Sequence, residues 1–188
     1  APVNDTETTV TATQLAPHST HTSLPYTITG SVGTLDGVTM GGLPGSPVTS
    51  GGGAYSATVD YGWTGTATPS KTGYTFNPTN KTYSNVTANQ SAQNYTPTLL
   101  TYTITGSVGT LDGVTMGGLP GSPTTSGGGA YSATVDYGWS GTATPSKTGY
   151  TFNPTNKTYS SVTANQSAQN YTPTLLTYTI TGSVGTLD

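Results

Sequence analysis

The 188-residue chain contains no cysteine and no arginine, and only 6% of its residues are charged. Without cysteine it can form no disulfide, no thiolate zinc site and no cysteine nucleophile. Four lysines and a net charge of -3 give none of the basic surface that phosphate binding needs, so nucleic acid is not an expected partner. No apolar run reaches the length of about eighteen residues that indicates a membrane-spanning helix.

Small hydroxyl side chains and turn formers take the place of the missing charges. The chain has 44 threonines, 19 serines, 26 glycines and 13 prolines, and its hydrophobic fraction is 31%. Such a composition buries little apolar surface and offers few ionic groups for a catalytic site. The sequence opens on Ala1, Pro2 and Val3 without methionine or an apolar leader. We expect a mature secreted protein whose signal peptide has been removed, although a truncated chain would look the same.

A near-identical repeat with a period of 76 residues dominates the sequence. It predicts four segments: an extended N-terminal arm or linker at 1–25, repeats at 26–101 and 102–177, and a final segment at 178–188. This last segment restates the opening of each repeat, so it is either the first strand of a further repeat or a donor strand. The two repeats differ at three positions: Val48 and Thr124, Thr64 and Ser140, and Asn85 and Ser161.

Alternating apolar and polar residues between turn signals predict short β-strands. Tyr55, Ala57, Val59, Tyr61 and Trp63, for example, fall on one face of a strand at 54–63. We predict an all-β protein with tandem Ig-like, seven-stranded β-sandwich domains, an extended N-terminal arm and one spare strand. The predicted strands are 26–33, 37–40, 46–50, 54–63, 64–69, 74–84 and 91–99, with equivalents 76 residues later. The predicted core is Ile28, Val32, Tyr55, Val59, Tyr61, Trp63, Tyr74 and Phe76.

The run YGWTGTATPSKTGYTFNPTNKTYSNVTANQSAQNYT starts at Tyr61, and its copy starts at Tyr137. It resembles a repeat common in bacterial secreted and surface proteins, similar to carboxypeptidase-regulatory-like and Cna-B-like sandwiches. The resemblance implies non-catalytic spacer or adhesion modules. It also implies, for many Cna-B-like domains, a crosslink from a lysine in the opening strand to Asn or Asp. Here that strand has no lysine, and Lys71 and Lys81 come later, so solvated turn lysines are favoured over an isopeptide bond.

The few ionisable residues argue against an enzyme. Each repeat offers only Asp36 and Asp60, or their copies, as carboxylates, and we expect both to be solvated rather than paired for acid and base roles. Calcium binding at these aspartates is the alternative, weakened because such sites usually gather several carboxylates. His18 and His21 lie in the leader and are expected to be exposed, and two histidines do not complete a metal site. No catalytic residue, cofactor or metal is predicted.

N-x-[Ser/Thr] sequons are dense, which makes N-linked glycosylation a hypothesis, with O-linked sugar on threonine or serine as a second one. A composition rich in asparagine and threonine also produces such matches without any sugar. The candidate sites are Asn4, Asn80, Asn85, Asn89, Asn94, Asn156, Asn165 and Asn170.

Near identity of adjacent domains favours a function that gains from repetition, because identical neighbours also risk swapped misfolds. The leading hypothesis is a secreted structural protein that self-associates, by head-to-tail strand donation, into an extracellular filament or surface fibre. The alternative is an adhesin stalk or carbohydrate-binding module of a larger cell-surface protein. A third possibility is a spacer attached to a secreted enzyme. The expected partners are other copies of the chain and covalent or surface glycans.

Overall fold

The computed structural model describes residues 24–185, and within that range the chain is all-β, with fourteen strands and no helix. This confirms the predicted fold class. The predicted arm, its histidines and Asn4 lie outside the described residues, apart from positions 24 and 25. The first repeat forms β1 (Tyr26–Ser31), β2 (Thr39–Gly41), β3 (Ala54–Val59), β4 (Trp63–Ser70), β5 (Tyr74–Asn77), β6 (Lys81–Val86) and β7 (Thr96–Leu99). The second forms β8 (Thr101–Ser107), β9 (Thr115–Gly117), β10 (Ala130–Asp136), β11 (Trp139–Ser146), β12 (Tyr150–Asn153), β13 (Lys157–Val162) and β14 (Thr172–Leu175).

Each repeat packs a pair of strands against a three-stranded sheet. In the first repeat β1 pairs with β3, and β4 lies between β2 and β6, all antiparallel. A further antiparallel pair joins β5 to β7. The second repeat has the same pairings. The core lies between the β1–β3 pair and the β2–β4–β6 sheet, because buried side chains come from both.

The segment 89–95 runs parallel to β1 on the side away from β3. The amides of Gln90, Gln93 and Tyr95 donate to carbonyls of Thr27, Thr29 and Ser31, at 2.8–3.0 Å. β1 is therefore an inner strand, bonded on both sides. Since the backbones approach closely here, a Cβ at Gly30 would lie 2.3 Å from the carbonyl oxygen of Gln93.

Three strand predictions were wrong in detail. The strand predicted at 54–63 ends at Val59, and the chain turns at 61–62, where Gly62 has a φ of +79°. The strand predicted at 74–84 is two strands, β5 and β6, because Pro78 has no amide to continue a ladder. The residues 46–50 form isolated bridges through Val48 and Ser50 but no strand. The predicted strand at 91–99 is ordered as β7 only from Thr96.

The predicted core is confirmed for Ile28, Val32, Tyr55 and Val59, and Trp63 and Phe76 pack against it while partly buried. Tyr61 was predicted wrongly, because it follows the end of β3 and is 61% exposed. Tyr74 is only half-buried. Buried residues that the pattern did not single out are Val38, Met40, Leu43, Ala57, Ala67, Tyr83, Val86 and Tyr95.

The final segment forms no strand over its described part, residues 178–185. Tyr178, Ile180 and Val184 are 86%, 96% and 96% exposed. The predicted spare strand is therefore unpaired here, and its last three residues lie outside the described range. Within residues 24–185, no helix is long and apolar enough to cross a membrane.

Candidate functional site at the repeat joint

Leu100 alone connects the last strand of the first repeat to the first strand of the second, since β7 ends at Leu99 and β8 begins at Thr101. The amide of Leu100 donates to the carbonyl of Gly73 in the first repeat, at 2.8 Å. Its carbonyl accepts from the amide of Tyr137 in the second repeat, at 2.9 Å. One residue thus ties the two repeats together through its backbone.

The ring of Tyr137 covers Gly73 across this joint. A Cβ added at Gly73 would lie 2.6 Å from Cδ1 of Tyr137, so only glycine leaves room for the ring. Gly73 also has a φ of +84°, in the left-handed region that glycine favours. Tyr137 contacts the ring of Tyr102 as well, with centroids 6.3 Å apart. The joint is therefore a packed contact and not a loose linker.

The same two surfaces are uncovered at the other ends of the repeats. Tyr61, the counterpart of Tyr137, is 61% exposed. At Gly149, the counterpart of Gly73, an added Cβ would meet no atom of the described residues within 4 Å. Each repeat therefore carries both halves of the joint, and one half of each kind remains open.

The leucines beside the joint show the same difference. Leu99 and Leu100 are half-buried. Their counterparts Leu175 and Leu176 are 59% and 43% exposed. The amide of Leu176 still donates to the carbonyl of Gly149 at 2.8 Å, so half of the joint is already formed there.

The first strand of the second repeat is longer than that of the first. In β8, Thr101 pairs with Asp136, whereas the register of β1 begins with Tyr26 opposite Val59. Pro25 stands where the second repeat has Thr101, and proline has no amide to donate to a ladder. The first repeat therefore lacks the strand pair that the second gains at the joint.

Two pairs of predicted glycosylation sites bind the backbone of β1 or β8. The Oδ1 atoms of Asn89 and Asn94 accept from the amides of Thr27 and Ser31, each at 2.9 Å. In the second repeat the Oδ1 atoms of Asn165 and Asn170 bond to Thr103 and Ser107, each at 3.0 Å. These asparagines lie more than sixty positions from their partners, so no local pattern predicts the contacts. The other described sequon asparagines are exposed: Asn80, Asn85 and Asn156.

Two of the three differences between the repeats meet in one hydrogen bond. The amide of Asn85 donates to Oγ1 of Thr64 at 3.0 Å. In the second repeat the amide of Ser161 donates to Oγ of Ser140 at 2.8 Å. The exchange preserves the bond, so losing the sequon at Ser161 leaves this turn unchanged. Nothing in the structure explains the third difference, Val48 for Thr124, both of which are exposed.

The lysines are half-buried, so the prediction of solvated turn lysines was wrong for their surroundings. The Nζ atom of Lys71 donates to the backbone carbonyl of Asp36. The Nζ atom of Lys81 lies 3.4 Å from Oε1 of Gln93 and 5.3 Å from the centroid of the Tyr95 ring. Both ammonium groups thus have neutral partners.

Lys81 borders a cluster of buried tyrosines around Gln93. The hydroxyl of Tyr55 donates to the Gln93 carbonyl at 2.5 Å, and that of Tyr95 donates to the Ala67 carbonyl at 3.2 Å. Burial raises the pKa of Tyr55, and it raises the pKa of Tyr95 to about 12 with help from Tyr83. In the second repeat burial likewise raises the pKa of Tyr171 to about 12. These hydroxyls stay neutral and hold the core.

Asp36 has a structural role. Its carboxylate accepts from the amides of Gly52 and Gly53 at 3.0 and 2.6 Å, and so it closes the triple-glycine turn. Asp60 lies exposed after β3, and its carbonyl accepts from the amide of Trp63 at 3.1 Å. Among residues 24–185, no group of three acidic, histidine or cysteine side chains could hold a metal.

An open groove of about 640 Å³ lies beside the first repeat's β5, and its copy beside β12 measures about 670 Å³. The half-buried rings of Tyr74 and Phe76 line it, together with the polar side chains of Thr39, Ser70 and Lys71. A ring face flanked by hydroxyls is the arrangement on which a sugar stacks.

The comparisons with known proteins concern the fold. No family model matches the chain, and no curated protein matches it. A solved structure, the Bacillus anthracis TIE protein, is similar in fold, with a TM-score of 0.54 and 15% sequence identity. The match covers 80% of this chain and 34% of that one, so this chain spans about a third of its length. The likeness shows that the chain has the strand arrangement of a bacterial β-protein.

Proposed function

We propose that this chain is a secreted structural protein that assembles, from tandem β-sandwich repeats, into an extracellular filament or surface fibre. The observation that carries the proposal is the joint at Leu100. Two near-identical repeats meet there through two different surfaces, and every repeat has both of them. A contact between unlike surfaces that does not close on itself extends without limit.

The low charge of the chain supports close association. With a net charge of -3 over 188 residues, two copies repel each other weakly. The described acidic and basic side chains contribute to turns and core, as Asp36 and Lys81 do, and not to a polar pocket for chemistry. The resemblance to spacer and adhesion modules points to the same class of function.

Imaging the full chain tests the proposal. Negative-stain microscopy and sedimentation over a range of concentrations should reveal filaments that lengthen with concentration, with a repeat spacing set by one chain. Labelling with antibody on intact cells should place the protein at the surface. Monodisperse short rods at high concentration would contradict the filament.

The two grooves favour a second candidate, a carbohydrate-binding or adhesin module. Its site would be the ring faces of Tyr74 and Tyr150, each flanked by hydroxyl side chains. A glycan array with the full chain should detect binding, and the paired variant Tyr74→Ala and Tyr150→Ala should lose it. Tyr61→Ala, which removes an exposed ring elsewhere, is the control. Equal loss in both would exclude the grooves as the site.

A further inference from the structure

Residues 177–185 have the same sequence as residues 101–109, which form the first strand of the second repeat and the residues after it. In that strand Ile104 is fully buried, as Ile28 is in β1. The equivalent Ile180 is 96% exposed and pairs with nothing among the described residues. This segment thus carries core side chains without a core. Its edge would expose unpaired backbone donors and acceptors if it became a strand.

The place that such a strand fits is known from β1 itself. There the strand pairs with β3 on one side and with residues 89–95 on the other. Asn89 and Asn94 accept from its amides at both ends of this ladder. Because residues 178–183 are identical to β1, they can make the same contacts with another copy of the chain.

We propose that residues 177–185 of one copy replace residues 25–33 of the next copy, so that the two chains are joined as the two repeats are. The proposal rests on the function proposed above and names its contact. The partner is a second copy of this chain, bound by strand exchange, as in a domain swap.

The exchange gives contacts that the chain's own β1 lacks. Since the exchanged strands are identical, their core and ladder contacts cancel. Thr177 takes the position of Pro25 and can pair with Asp60, as Thr101 pairs with Asp136. The difference therefore favours the strand from the second chain at its first position.

The exchange also closes the open halves of the joint. Leu176 then lies at the position of Leu100, where its carbonyl can accept from the amide of Tyr61. The ring of Tyr61 would cover Gly149, as Tyr137 covers Gly73. Two surfaces that are uncovered in a single chain are buried together. The contact leaves one open half at each end of the pair, so it propagates head to tail.

Engineered cysteines test the register, since the chain has none of its own. Thr27 lies opposite Thr58, and its backbone amide and carbonyl bond to residues on its other side, Asn89 and Gln90. Such non-hydrogen-bonded pairs have Cα atoms about 4.5 Å apart, within the range of a disulfide. Thr179 is the counterpart of Thr27.

The experiment mixes two full-length variants, Thr58→Cys and Thr179→Cys, under mild oxidation. A covalent dimer on a non-reducing gel, lost on reduction, is expected. The matched control replaces the first variant by Thr134→Cys, which lies opposite Thr103 in β8. Because β8 is attached to the chain at both of its ends, it cannot be exchanged as readily, and little dimer should form.

Each outcome decides the proposal. Filaments without the disulfide would overturn strand exchange and leave the proposed function standing. A chain that stays monomeric and uncrosslinked would overturn both. Equal dimer in the control would indicate random collision and would also overturn it. As a second measurement, Ile180→Asp should abolish assembly and Ile180→Val should retain it, while both fold normally since this side chain is exposed. Assembly by Ile180→Asp at the unsubstituted level would overturn the exchange.

Discussion

The ring of Tyr137 lies where a side chain at Gly73 would have to be. An added Cβ would be 2.6 Å from Cδ1 and 3.1 Å from Cε1 of that ring. Tyr137 and Gly73 belong to different repeats, so this relationship couples two units that are otherwise nearly the same. Their counterparts Tyr61 and Gly149 have no such contact with each other, which gives the molecule an internal control.

Gly73→Ala should weaken the coupling of the repeats more than Gly149→Ala. Both glycines have left-handed φ values, +84° and +83°, so an alanine costs about 1–2 kcal/mol at either. Only at Gly73 does the new methyl meet a ring, which adds about 1–3 kcal/mol of overpacking. Urea unfolding followed by circular dichroism measures the difference. Equal losses in both variants would show that the ring contact contributes nothing to stability.

Asp36→Ala should destabilise the first repeat by about 2 kcal/mol, since hydrogen bonds to a charged group are worth about 1.5–3 kcal/mol. The carboxylate of Asp36 holds the amides of Gly52 and Gly53, and Asp36→Asn keeps one acceptor oxygen there. The asparagine variant should therefore lose less, as calorimetry can measure. If calcium stabilised the original chain but not Asp36→Ala, Asp36 would instead be a metal ligand.

The sequence predicts the fold well because alternation and turn residues are local signals. It places Ile28, Val32 and Val59 in the core correctly. It fails at Tyr61, which continues the alternation on paper although Gly62 turns the chain. A period-two pattern cannot show where a strand ends when the next residues keep the pattern by chance.

The joint could not be predicted from the sequence, for a different reason. Tyr61 and Tyr137 stand in the same local sequence, yet one is exposed and the other covers a glycine. The difference comes from which repeat precedes each of them along the chain. Gly73 reads only as a turn residue in the sequence, and the ring that it admits comes from a residue 64 positions later.

The free energy of unfolding should fall between about pH 10 and pH 12. The unfolded chain releases a tyrosine proton near pH 10, whereas Tyr95 and Tyr171 hold theirs to about pH 12 because burial penalises the phenolate. Below pH 10 their contribution is constant, and above it each loses roughly 1.4 kcal/mol per pH unit, up to roughly 3 kcal/mol. Urea titrations on both sides of this window measure it.

Phenylalanine at both positions is the control for the alkaline effect. Tyr95→Phe with Tyr171→Phe removes the titrating groups, and with them hydrogen bonds to the carbonyls of Ala67 and Ala143. This variant should be less stable at neutral pH, by about 1 kcal/mol for each bond. It should also lose less stability on going to alkaline pH. An unchanged pH dependence would assign the alkaline loss to other groups.

Asn89→Ala and Ser91→Ala should separate a structural role from a sugar at the same sequon. Both remove the sequence Asn-x-Ser, but only the first removes the oxygen that accepts from the amide of Thr27, at 2.9 Å. Leaving that inner-strand donor without its partner should cost about 1–3 kcal/mol. Ser91→Ala should keep the stability of the original chain to within about 0.5 kcal/mol, because Ser91 is exposed. Intact mass of the natively expressed protein tests the sugar: if Asn89 is glycosylated, both variants lose the same mass. Equal destabilisation by the two substitutions would mean that the sugar, and not the hydrogen bond, stabilises the strand.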